Sequence, residues 1–200
     1  MHRGFTLAEL LISVAIIAAV STVVLVNFNA FDSTVLLKGE AYEIALSLRE
    51  SQVKSVGMVR NSGGFDYPYG MSFTAGSSVY QAFVYKSATE YPKYSPCGAQ
   101  STDCAELITE SDMERSMVVK EVCYVSSSPN TCTLLNRLDI SFRRPEFSGI
   151  FYGLNTGNNG VDLSNATHVR IKLGSSRPGA DENMFVVEVS KLGQISVYNE

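Results

Sequence analysis

The chain has 200 residues, 45% of them apolar and 18% charged, with a formal net charge of −4. That length suits one or two domains, the apolar content excludes intrinsic disorder, and the lack of clustered Lys and Arg excludes a broad nucleic-acid-binding face. Charge falls short of the typical ~25% because the front of the chain is nearly bare: Phe5 to Phe28 carries one charge in 24 residues, Glu9, and the first Lys is Lys38.

The first element follows Met1-His2-Arg3-Gly4. Between Leu10 and Phe28 lies an uncharged run of 19 residues, about 28 Å as a helix at about 1.5 Å per residue, so it can span a bilayer. Arg3 on one side and the acidic remainder on the other put the N-terminus in the cytoplasm and residues from about 30 onward outside. A secretory signal has a similar basic and apolar order, but an acidic residue near its start is unexpected. Glu9 carries the most information. A carboxylate near lipid is costly, and no Lys, Arg or His lies between Phe5 and Asp32 to neutralise it within the helix. Its expected partner is a positive group from another chain, or the amine that a cut between Gly4 and Phe5 would create.

The run Gly4-Phe5-Thr6-Leu7-Ala8-Glu9-Leu10-Leu11 followed by an apolar helix resembles the class III leader of type IV pilins and type II secretion pseudopilins. The resemblance implies that a prepilin peptidase cuts after Gly4 and methylates Phe5, and that Glu9 pairs with the N-terminal amine of a neighbouring subunit during filament assembly. Many major pilins of that family carry a helix-breaking Pro in the apolar stretch. The first Pro here is Pro68, which fits the minor subunits better.

Beyond the span, Leu37, Ala41, Ile44 and Leu48 recur at spacings of 4, 3 and 4, so one helix is expected from Phe5 to about Val56. Gly39 is a tolerated weak point, and Asn61-Ser62-Gly63-Gly64 ends the helical signal. The period then changes to 2. Leu138, Ile140 and Phe142 alternate with Arg137, Asp139, Ser141 and Arg143, and Val169, Ile171 and Leu173 with His168, Arg170 and Lys172, as in strands buried on one face. Further strands are expected at 71–74, 79–85, 117–125, 147–152, 184–189 and 194–198, with loops at 155–160 and 174–179. The expected fold is α+β: a long N-terminal helix, its first half membrane-spanning, packed on a C-terminal antiparallel sheet domain. The parts are a leader at 1–4, a transmembrane or filament-core helix at 5–29, an amphipathic continuation at 30–57, and an extracytoplasmic β-rich domain at 58–200. The stretch from Leu138 to Phe142 and the closing run Phe185 to Val197, with Gly193 before the last strand, resemble the C-terminal half of H-type minor pseudopilins and related minor pilins.

Cys97, Cys104, Cys123 and Cys132 all fall in the part expected outside, where disulfides are allowed. Three pairings are possible. Short loops favour Cys97 with Cys104 and Cys123 with Cys132, the second enclosing Ser126-Ser127-Ser128-Pro129-Asn130. A zinc site lacks Cys-x-x-Cys spacing, and cleavage would leave His168 as the only His, so no metal is expected. His168 alternates outward and reads as a solvated strand residue. Gly179-Ala180-Asp181-Glu182-Asn183 is a polar loop of the kind that offers oxygen ligands to calcium in certain major pseudopilins, though acidic loops are ordinarily just solvated. Asn165-Ala166-Thr167 matches a glycosylation acceptor by chance.

No catalytic constellation is present, so no enzyme and no cofactor are expected. The resemblance implies a structural filament subunit in the bacterial inner membrane, then in a periplasmic or extracellular filament. Its implied partners are other pilin or pseudopilin subunits, the prepilin peptidase, the inner-membrane assembly platform with its ATPase, and membrane lipid before assembly. Pilus, secretion and DNA-uptake competence systems all share the leader and helix. An extracytoplasmic binding module on a plain single-pass anchor is the rival reading.

Overall fold

The computed structural model describes residues 6–57, 67–86, 94, 104–114, 116–127, 131–142, 147–176 and 184–200, the side chains of 24–33 excepted. One helix, α1 (Leu7–Val56), is followed by eleven strands among the described residues. They are β1 (Tyr69–Thr74), β2 (Val79–Tyr85), β3 (Ala105–Asp112), β4 (Met117–Ser126), β5 (Cys132–Leu135), β6 (Arg137–Phe142), β7 (Gly149–Leu154), β8 (Gly160–Val161), β9 (Ala166–Ser175), β10 (Phe185–Ser190) and β11 (Ile195–Asn199). The class is α+β, with two antiparallel sheets ordered β3-β2-β1-β6-β7-β8 and β11-β10-β9-β4-β5.

Two compact units divide the chain, residues 1–36 and 37–200. In the second, the helical stripe Leu37, Ala41, Ile44, Ala45 and Leu48 is buried, because its 3–4 spacing keeps these side chains on one face. Polar residues one turn further along α1 fix the helix to both sheets. Ser55 Oγ accepts from the Tyr69 amide at 2.9 Å, and Gln52 Nε2 donates to the carbonyls of Phe147 at 2.9 Å and Gly193 at 3.1 Å. Gly193 has φ +84, and a Cβ there would lie 2.0 Å from the Phe147 carbonyl oxygen, so this turn admits only glycine. The sheets meet where the β1–β2 turn pairs with β4: the Gly76 amide donates to Val119 O at 2.7 Å, and the Val119 amide donates to Ser77 O at 2.9 Å. The β4–β9 register shifts beside that point, between Val119 and Glu121.

Several expectations are corrected. Strands β3 and β8 depart from the expectation, and β9 extends through Gly174 and Ser175, which are expected to be loop. Asp139 and Ser141, expected on an outward face, are fully buried. Asp139 is covered by Tyr94, whose amide donates to Oδ2 at 2.9 Å and whose ring lies 5.5 Å from that of Phe83. Asp139 also accepts from Ser72 Oγ at 2.7 Å and from Arg137, which reaches on to the Tyr94 carbonyl, both at 2.8 Å. Burial pushes the Asp139 carboxyl above the usual aspartate range, against the opposing pull of Arg137. His168 is half-buried rather than solvated. Its Nδ1 lies 3.0 Å from Thr167 Oγ1 and its Nε2 3.6 Å from Glu188.

Candidate processing and assembly site

The expected processing residues Gly4 and Phe5 lie outside the described residues, as do the expected leader, the 61–64 helix stop and the polar loop 179–183. The described site begins at Thr6. The Thr6 carbonyl accepts the first intrahelical bond, from Leu10 N at 3.2 Å, which makes Thr6 the N-cap of α1. Its hydroxyl accepts from the Glu9 amide at 3.3 Å, while Glu9 Oε2 accepts from the Thr6 amide at 3.0 Å and the Thr6 hydroxyl at 2.8 Å. This is a capping box: residues three apart satisfy each other's orphan donors, and a carboxylate sits at the positive end of the helix dipole. The expectation that Glu9 lacks a partner in its own helix therefore needs correction. It has no cationic partner there, but it does have Thr6.

From residue 6 to residue 23 every side chain is exposed. Nine of them are large and apolar, Leu7, Leu10, Leu11, Ile12, Val14, Ile16, Ile17, Val20 and Val23, with exposures from 56% to 78%. Burying a Val, Leu or Ile is worth about 1.5–3 kcal/mol, so nine left in water forgo on the order of 15–25 kcal/mol. Apolar surface of this extent marks contact with lipid or protein. Two of its hydroxyls are bonded within the helix: Ser13 Oγ donates to Glu9 O and Thr22 Oγ1 to Ala18 O, each at 2.8 Å. Hydroxyls bonded back four residues suit a helix that has no water to turn to. Among the described residues no helix is long and apolar enough to cross a membrane, which says nothing of spanning by strands. The expected span at 5–29 includes Phe5 and side chains 24–29, which are outside the described set.

Cys123 and Cys132 form a disulfide between β4 and β5, with Cα atoms 5.5 Å apart. The β4–β5 register places Val125 opposite Cys132 and Cys123 opposite Leu134, so both cysteines lie on one face of the hairpin. Cys104 is disulfide-bonded and buried; Cys97 lies outside the described residues. Among the described residues no three His, Cys, Asp or Glu side chains gather as a metal site. Sequence reasoning missed the Thr6 role, although Thr6-Leu7-Ala8-Glu9 is a legible Thr-x-x-Glu capping signal.

No curated protein and no solved structure matches the chain. Residues 1–25 match the family model described as the prokaryotic N-terminal methylation motif, which supports the class of type IV pilin-like, prepilin-processed proteins.

Proposed function

We propose that the chain is a structural subunit, a minor pilin or pseudopilin, of a type IV pilus or type II secretion-like filament. It is made as a prepilin with residues 1–4 as leader, cut after Gly4, methylated at Phe5, and held in the inner membrane by residues 5–29 with the N-terminus cytoplasmic. Residues 30–57 continue the helix, and 58–200 form the outer β-rich domain, whose C-terminal half follows the H-type minor pseudopilins. The observation that carries this reading is the methylation motif matched at 1–25, together with the helix that begins at Leu7 within it and whose side chains from 7 to 23 are all exposed.

Filament entry moves that helix from lipid to a bundle of similar helices, one apolar setting to another, so specific contacts must choose the register. Glu9 is the assembly carboxylate. Cleavage after Gly4 leaves the Phe5–Thr6 peptide intact, so the Thr6 amide still donates to Glu9 and holds the carboxylate at the helix start for the amine of a neighbouring subunit. Partners are other pilin-like subunits, the prepilin peptidase, and the assembly platform with its ATPase.

Replacing Glu9 with Val tests the role. Anchoring and cleavage are expected to persist while recovery in sheared filaments falls sharply. Wild-type assembly of Glu9→Val removes Glu9 from the mechanism.

A further inference from the structure

The loop between β7 and β8 carries a reactive dipeptide that filament assembly does not use. Of all the asparagines in the chain, only Asn159 is followed by glycine, Gly160. Such a pair ordinarily makes a hairpin turn in which one or both residues take positive φ. Here it does not. The left-handed residue of the loop is Asn158, with φ 57, while Gly160 has no positive φ and opens β8. Turn geometry therefore leaves the Asn159-Gly160 pair unexplained, and its chemistry is the property to ask about.

Both residues are exposed. The hydrogen bonds that shape the loop among the described residues do not use the Asn159 carboxamide: Asn155 Oδ1 accepts from the amides of Gly157 at 2.9 Å and Asn159 at 3.0 Å, and Asn158 Oδ1 accepts from Asn136 Nδ2 at 3.1 Å. The register frees the next amide as well. Asn155 N donates to Asn159 O at 3.0 Å and Gly153 lies opposite Val161, so Leu154 and Gly160 between them are the non-bonded pair of the antiparallel ladder. The Gly160 N–H thus points away from β7, to the open side of β8, which ends its sheet among the described residues. Without a Cβ that nitrogen is also unshielded. We propose that Asn159 is a site of self-modification, in which the Gly160 amide nitrogen attacks Asn159 Cγ. The N–Cγ bond forms and the Cγ–Nδ2 bond breaks, with Nδ2 leaving as ammonia and carrying off the Gly160 amide proton. Water then opens the cyclic succinimide at either carbonyl, giving aspartate or, with the chain rerouted through Cγ, isoaspartate. The sum is asparagine and water to acid and ammonia, and it needs no oxidant, reductant or cofactor. Isoaspartate also takes the carbonyl that accepts from Asn155 out of the main chain, which loosens the closure of the β7–β8 hairpin.

The test uses the full chain in detergent micelles, held in mildly alkaline buffer made with heavy-oxygen water, then digested and mapped by mass spectrometry with fragmentation that separates isoaspartate from aspartate. Label is expected to accumulate at Asn159 ahead of Asn136, Asn155, Asn158 and Asn165, with isoaspartate the larger product. Gly160→Ala should slow the uptake several-fold. Asn159→Gln, which keeps the carboxamide but must close a larger ring, should remove it. A Cβ at position 160 would lie 3.0 Å from the Tyr152 hydroxyl, so circular dichroism on the same samples checks that Gly160→Ala stays folded, and Asn159→Gln carries the comparison if it does not. Uptake at Asn159 only after unfolding in urea, equal uptake at the other asparagines, or uptake that persists in Asn159→Gln overturns the proposal, as does an unchanged rate in folded Gly160→Ala.

Discussion

Asp139 offers a sharp test of the outer domain, because two substitutions of similar size should behave oppositely. Its Oδ2 accepts from the Tyr94 amide and from Arg137, and its Oδ1 accepts from the Ser72 hydroxyl. Asp139→Ala strands three donors at a fully buried position, one of them a guanidinium whose side chain is 23% exposed. Removing one partner of a buried pair costs about 3–5 kcal/mol, and because Arg137 retains some water the lower end, about 3, applies. Asp139→Asn keeps every bond: its oxygen replaces Oδ2, and its NH2 donates to Ser72 once that hydroxyl reverses. It should cost less than about 1 kcal/mol near neutral pH, or stabilise, because burial penalises the charged form. The pH dependence carries the same sign. A carboxyl raised in the folded state contributes stability that is fully present below its unfolded value of about 3.9, and that is lost as pH rises through the higher folded value. Wild-type stability should thus gain relative to Asp139→Asn as pH falls through that window. Urea titration followed by far-ultraviolet circular dichroism, at several pH values, measures both. Equal losses for Asn and Ala, or the reverse pH trend, refute the reasoning.

Thr6→Ala should loosen the first turn of α1 by about 1 kcal/mol, seen as faster amide exchange at 8–10 in micelles, while Thr6→Ser keeps it. Gly193→Ala should lower the melting temperature of the outer domain, since a left-handed non-glycine costs about 1–2 kcal/mol before the clash with Phe147 is counted. A fragment from about residue 30 should be soluble and β-rich with no free thiols, and peptide mapping should join Cys123 to Cys132. Loss of that bond through Cys132→Ser should cost about 2–3 kcal/mol in urea titration.

The long helix was legible because its apolar spacing runs unbroken past Gly39, and the central strands because Leu138, Ile140 and Phe142 alternate cleanly. Strand β3 was not, since Glu106, Glu110 and Asp112 on a sheet edge dilute the alternation, and its 107–110 side chains are exposed on both faces. The burial of Asp139 depends on Tyr94, 45 residues away, a contact that no local pattern encodes. At the N-terminus the carboxylate was recognised but its local partner was not. Attention to charge alone hid the Thr6 hydroxyl, which answers Glu9 with hydrogen bonds rather than an opposite charge.

The central claim is that this chain is processed as a prepilin, and the mass and N-terminal sequence of protein extracted from membranes of peptidase-containing cells test it most directly. The account predicts a mature chain that begins at Phe5 with a methylated amine. A chain that still begins at Met1, or one cut beyond Ala19, contradicts it.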